Sequence, residues 1–321
     1  MNAFHEKGGF PDITTAGIAA TLVLLPFVLP TVTLASEVVV FSVAALSCVF
    51  LLGMVGLLSF GQGLFFGIGA YTSAVLLKEH ALATLPAVLV AAFASAACSA
   101  LLAMLATRQR GIYLVMLTLA FAQMGYFAML ALNNITGGEN GLTGVPRPPL
   151  LGGIGVLSGP EAIYVFLALL AFAAYLLTQR LGASPFGSVL RAIRQNETRA
   201  EALGYNVRGF KIAAFAFAGL LAGLAGAMHT VFLGFAPPNV IELGMSERLL
   251  IMAIIGGTGA PGAAFLGAGF YVLMSDWLST LWPRWLMLIG LLLIGIVLFV
   301  RGGLWGGAAE LLRRVRASRR G

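Results

Sequence analysis

The densest run of residues able to do chemistry lies between two apolar stretches, in Ser184-Pro-Phe-Gly-Ser-Val-Leu-Arg191-Ala-Ile-Arg194-Gln-Asn196-Glu197-Thr-Arg199-Ala-Glu201-Ala202-Leu203-Gly204. Gln195 or Asn196 can begin a short helix that ends at Gly204, because glycine readily takes the left-handed backbone on which helices stop. On that helix Arg194, Glu197 and Glu201 recur at spacings of three and four and so share a face, with Ala202 beside it. Such a helix either docks into a cleft of a soluble partner or serves as a solvated connector.

A second set of residues is polar but uncharged. Ser59, Gln62, Tyr71 and Thr72 lie in one apolar run, and Thr118, Gln123 and Tyr126 lie in another. They can line a path for an amphiphilic solute or make interhelical hydrogen bonds. The run Gly256-Gly257-Thr258-Gly259-Ala260-Pro261-Gly262 interrupts a third apolar stretch. Within a bilayer such a break must be buried in protein or line a cavity, since lipid cannot satisfy the freed backbone groups. A third set, Glu139, Asn140 and Arg147, sits in a Gly/Pro/Asn/Thr-rich segment, 133–160, and offers charge for docking a soluble protein.

Other chemistries find no support. No second His, Cys or carboxylate is spaced to share a metal with His229. The lysines follow Glu6, Leu77 and Phe210, so there is no Gly-Lys pair for a phosphate-binding loop. The expectation is therefore that this chain binds no cofactor. The expected spans also carry essentially no ionisable residue, with Lys211 and Arg248 falling at span ends, which argues against a proton relay.

The elements that must position these residues follow from composition. Of 321 residues, 60% are hydrophobic and only 10% charged, where a soluble domain has roughly 25% charged. Mean hydropathy is +0.97. The solvent for most of this chain is lipid, which excludes disorder; the glycines and prolines follow no collagen period, and Cys48 and Cys98 lie singly in apolar runs. The net charge of +7 resides in clusters that flank apolar spans, Arg191 to Arg208 and Arg313 to Arg320. That is a topology signal rather than a nucleic-acid footprint.

A membrane helix needs about 20 apolar residues. Runs of that kind occupy 16–34, 38–58, 59–77, 84–106, 112–132, 162–178, 211–235 and 285–300, with the broken segment at 248–275 forming two half-helices or a re-entrant hairpin. The expected fold is an all-α, polytopic membrane protein with about eight to ten crossings. It comprises a leader, 1–15, a membrane domain, 16–305, and a basic tail, 306–321, with 179–210 and 133–160 as its main loops. The excess of Lys and Arg puts both termini and 179–210 in the cytoplasm and 133–160 outside. The first run is long for a cleaved signal sequence, and its leader carries Glu6 and Asp12. Gly219, Gly223 and Gly226 provide small residues for close helix packing. Gly63 to Tyr71 and Ala263 to Tyr271 match at Phe, both glycines and Tyr, a hint of internal repetition that chance also explains.

The loop pattern resembles the cytoplasmic coupling loop of ATP-binding-cassette importer permeases, with Glu201-Ala202 followed by Leu203-Gly204 as in the branched-chain amino-acid permease family of the LivM type. Leu58 to Tyr71, Gly111 to Gln123, Thr136 to Leu142, Ile254 to Gly259 and Arg301 to Leu304 resemble the same family, in order. The resemblance implies a permease subunit in a bacterial inner membrane that translocates Leu, Ile or Val. It also implies a second, related permease chain, two ATPase subunits that carry ATP and Mg, and a soluble substrate-binding protein. In that family Arg191, Arg194, Asn196, Glu197, Glu201, Ala202 and Gly204 would form the ATPase-coupling loop. Ser59, Gln62, Tyr71, Thr72, Thr118, Gln123, Gly256 and Gly257 would line the path, and Glu139, Asn140 and Arg147 would meet the binding protein. A permease for urea, short amides or other amino acids is the nearest alternative, and a stand-alone carrier or channel is the more distant one.

Overall fold

The computed structural model describes residues 13–109, 111–150, 159–299 and 302–307. Residues 1–12 of the leader, 151–158 of the external segment and nearly all of the basic tail lie outside the described residues, and with them the expectations placed there. The described chain is helical, in the order α1 (Ile13–Val28), α2 (Val32–Phe50), α3 (Gln62–Lys78), α4 (Thr84–Ala106), α5 (Ile112–Ala131) and the short α6 (Asn133–Thr136). These are followed by α7 (Pro160–Ala183), α8 (Pro185–Gln195), α9 (Glu197–Ala202), α10 (Val207–Leu233), α11 (Leu243–Gly256), α12 (Ala263–Leu281) and α13 (Trp285–Phe299). Among the described residues, six helical stretches are long and apolar enough to cross a membrane: Val32–Val55, Thr84–Ala106, Ile112–Ala131, Pro160–Ala183, Val207–Leu233 and Ala263–Leu281. The fold is an all-α polytopic membrane protein.

α2 and α10 form the buried centre. α10 packs against α2, α3 and α4, while α2 also packs against α7, α11 and α12. Small residues make this possible. A Cβ on Gly226 would strike the Phe66 carbonyl, one on Gly69 would strike the Gly223 backbone, and one on Gly219 would strike Ser99. Backbones this close permit hydrogen bonds between helices: Ser95 Oγ lies 2.8 Å from the Phe65 carbonyl and 2.9 Å from that of Gly219. Ser99 donates to the Phe215 carbonyl at 2.9 Å and Thr230 to the Ala70 carbonyl at 3.0 Å. In lipid, where no hydrophobic force drives helices together, close packing and such bonds hold a bundle. The glycine pattern of α10 therefore does what its spacing suggested.

Loop contacts sort the helix ends into two faces. On one face, Arg191 donates to the carbonyl of Gly182 at the end of α7, Arg208 to that of Met104 at the end of α4, and Thr15 of α1 to Gln179. On the other, Lys78 donates to the Thr143 carbonyl and Thr84 to that of Pro148, and Leu142 pairs with Ala236. The first will be called the loop face, since it carries α8 and α9. Residues 302–303 return to it, against Gly257.

The structure corrects one expectation about charge. Ionisable side chains do lie within long apolar helices, Glu37 in α2 and Asp276 in α12, and Glu247 and Arg248 lie in the shorter α11, with Glu242 at its N-cap position. α2 starts earlier than its apolar run because Thr31 caps it, accepting from the Leu34 amide at 3.3 Å. α12 extends beyond Ser275 to Leu281.

Candidate coupling loop and membrane-depth breaks

α8 starts with Ser184 as its cap and Pro185 in its first turn, and it buries Leu190 and Ile193 against the bundle. Asn196 then leaves helical geometry, with φ −159°, and its side chain accepts from the Arg199 amide at 2.9 Å, starting α9. Gly204, at φ +86°, ends it, its amide donating to the Glu201 carbonyl at 2.9 Å. Asn196 and Gly204 thus bound the short helix as their types suggested. Arg194 differs: it belongs to α8, and the Asn196 break prevents it from sharing a face with Glu197 and Glu201.

Most of the charged residues in this loop secure it to the bundle. Arg191 reaches Gly182 at 2.7 Å and Ser188 at 3.1 Å. Glu197 pairs with Lys211 of α10 at 2.7 Å, and that lysine is 3% exposed. Such a pair fixes geometry, while removing either partner strands a charge. Arg194 donates to the Gly53 carbonyl. What the loop presents outward is α9 with Glu201, Ala202 and Gly204 exposed, together with Leu203, 72% exposed, and Tyr205, 44% exposed. These last two apolar side chains escaped the sequence reading, although an exposed leucine beside a charged helix is the signal that finds them.

Gly53 lies in a π-helical turn, Leu51–Val55, which ends α2. Turns of this kind interrupt helices frequently at functional sites. Gly56 follows at φ +77°, and a Cβ there would lie 2.9 Å from Arg194 Cγ. A Cβ on Gly53 would lie 2.7 Å from the Thr258 carbonyl, inside the Gly/Pro break between α11 and α12. One guanidinium thus joins the loop to the π turn, and the π turn abuts the second break.

From Gly56 the chain turns back into the bundle. Gln62, at the start of α3, accepts from Ser47 Oγ at 3.1 Å, and Ser47 stands eight residues, about 12 Å, before Val55. α3 therefore begins inside the membrane-spanning layer. The break is held by Phe60, whose amide donates to Thr118 Oγ1 at 3.2 Å and whose carbonyl accepts from Ser246 Oγ at 2.6 Å. The amide of Gly63 donates to Ser246 Oγ at 2.9 Å, and that of Gly61 to Ser59 Oγ at 3.1 Å. Ser246 lies in the first turns of α11, so the two helix starts meet at this depth. Gln62, 1% exposed, leaves Nε2 without a partner among the described residues. Ser47 Oγ is also 2.7 Å from the Ala44 carbonyl, and its single proton cannot serve both acceptors, so one polar atom of this amide stays unsatisfied in either orientation.

Ser59, Gln62 and Thr118 thus converge on one break. Gly256 and Gly257 serve the other, where added Cβ atoms would strike the carbonyls of Ala263 and Gly302. Tyr71, Thr72 and Gln123 stand outside both breaks; Tyr71 is buried and its hydroxyl has no hydrogen-bond partner among the described residues. On the opposite face Arg147 donates to the Val231 carbonyl at 2.9 Å and to that of Phe232 at 2.6 Å, fastening the segment to the end of α10. Glu139 and Asn140 are exposed beside it.

The family model described as branched-chain amino acid transport system / permease component matches residues 31–298. The chain belongs to this family. It is 28% identical over 295 residues to the high-affinity branched-chain amino acid transport system permease protein LivM of Escherichia coli K12, covering 85% of this chain and 69% of that protein. LivM of Salmonella typhimurium LT2 is 28% identical over 294 residues, with the same coverage. The autoinducer 2 import system permease protein LsrC of Klebsiella pneumoniae is 31% identical over 166 residues, 49% of this chain and 46% of LsrC, which shows the breadth of the group. No solved structure matches. As a branched-chain permease component, the chain is a multi-pass membrane protein whose family works in transport systems of several parts.

Proposed function

We propose that this chain is the membrane-spanning permease subunit of an ATP-binding-cassette importer in a bacterial inner membrane, passing Leu, Ile or Val. A soluble binding protein delivers the solute, ATPase subunits on other chains bind ATP and Mg and supply the driving force, and a second, related permease completes the membrane pair. In this reading the loop face is cytoplasmic. α9, with Glu201, Ala202, Leu203 and Gly204, docks in the ATPase, while Glu139, Asn140 and the Arg147-fastened segment receive the binding protein. Ser59, Gln62 and Thr118 at one break, Gly256 and Gly257 at the other, and Tyr71, Thr72 and Gln123 belong to the path between them.

The observation that carries the reading is the junction at Gly53. An exposed helix is tied through Arg194 to a π turn that leads into one break and touches the other. A stand-alone carrier needs no such connection from an outer helix to the membrane interior.

Purification of the tagged chain from its native membrane tests the reading. ATPase subunits and a second permease chain are expected to co-purify. A chain recovered from mild detergent in full yield with neither would contradict it.

A further inference from the structure

α11 carries two charged side chains, Glu247 and Arg248, with Glu242 at its N-cap, at a depth where lipid disfavours charge. α5 serves as a ruler: Glu242 Oε1 lies 3.5 Å from the hydroxyl of Tyr126, which is five residues, about 8 Å, from the end of α5. Ser246, through Phe60, is level with Thr118, thirteen residues or about 20 Å from that end. Glu247 and Arg248 come directly after Ser246. They sit on one stripe with Gly244 and Ile251, at spacings of three and four. Glu242, Gly244, Glu247 and Arg248 are all exposed, and a Cβ added to Gly244 would meet nothing within 4 Å.

A charged side chain at this depth costs roughly 2.5–3.5 kcal/mol against lipid, so a face that carries two is not a lipid face. The charge is also unbalanced. Arg248 is within electrostatic range of Glu37 on α2, as is Asp276 on α12. Around Arg248, Glu37 and Asp276 thus add two carboxylates to that of the neighbouring Glu247. An excess of carboxylate calls for a cationic group from outside the chain, while Arg248 offers two parallel donors to a carboxylate. Ile251, half-buried one turn along, extends the stripe with an apolar surface.

We propose that the α11 face formed by Gly244, Glu247 and Arg248 lines the solute path and takes a zwitterionic aliphatic α-amino acid. Glu247 receives its ammonium and Arg248 its carboxylate. This rests on the importer reading and names residues for the path that it requires.

The test uses the assembled complex with Cys48 and Cys98 replaced by alanine. Gly244→Cys and, separately, Glu247→Cys are treated with a cationic, membrane-impermeant thiosulfonate reagent, with Leu291→Cys on α13 as the lipid-side control. Both α11 positions are expected to react and Leu291→Cys to stay silent. Leucine-loaded binding protein with ATP is expected to change the α11 rates by about tenfold, as an occupied path would. Arg248→Gln is expected to lower leucine uptake about tenfold while binding-protein-stimulated ATP hydrolysis continues, the loss of one charge-assisted contact. Silent α11 cysteines that instead crosslink to the second permease chain would overturn the proposal and make this face a subunit interface. If unmodified complex neither hydrolyses ATP nor accumulates leucine, the importer reading fails, and reactivity of the α11 cysteines still decides whether the face is wet.

Discussion

Replacing Leu203 with aspartate is expected to strip the ATPase subunits from this chain. Leu203 is 72% exposed beside α9, where Gly204 ends the helix and turns the chain, and Tyr205 follows as a second exposed apolar group. An aliphatic side chain displayed beyond a short charged helix is the shape of an anchor that fills a pocket. Central anchors of this kind are worth about 2 kcal/mol or more, and every 1.4 kcal/mol is tenfold in affinity. With a buried carboxylate added, Leu203→Asp should weaken ATPase association by about a hundredfold. The chain itself should express normally, since the side chain supports nothing in the bundle. Quantitative co-purification measures this. Retention of the ATPase at the wild-type ratio would show that docking lies elsewhere.

The second large effect is expected at Arg194. Arg194→Ala removes a charged donor from the Gly53 carbonyl in the π turn, a bond worth about 1.5–3 kcal/mol. It also opens the space beside Gly56. Because the same turn abuts Thr258 in the second break, the outer helix loses its mechanical hold on both interruptions. The expected result is an uncoupled complex: ATPase subunits remain bound and hydrolyse ATP, while leucine uptake falls about tenfold, in line with the energy of the lost bond. Arg194→Lys should restore part of the uptake, because one ammonium can still reach a carbonyl but not with the same planar geometry. Unchanged uptake in Arg194→Ala would remove this residue from the coupling path.

These expectations draw on different amounts of sequence information. The limits of α9 were legible because Asn196 and Gly204 act locally, one through a side-chain cap and the other through its backbone. The Gly/Pro break at 257–262 was legible for the same reason. The stripe of α10 could be read too, since small residues at four-residue spacing imply close packing whatever the partner. Arg194 was not legible: its acceptor lies 141 residues away, on a π turn that no local pattern announces. The start of α11 was also hidden. It lies deep because Ser246 bonds Phe60 and Gly63, and because Ile241 fills the place where Gly67 lacks a side chain. Those tertiary contacts carry Glu242, Glu247 and Arg248 into the membrane layer, whereas hydropathy alone placed Arg248 at a span end.

The most direct measurement is uptake of labelled leucine by liposomes containing the complex recovered with this chain, supplied with its binding protein, with and without ATP on the side of the ATPase subunits. The account predicts accumulation above the external concentration that requires ATP and the binding protein and is lost in Leu203→Asp. Equilibration of leucine down its gradient without ATP, at a rate unchanged in Leu203→Asp, would contradict it.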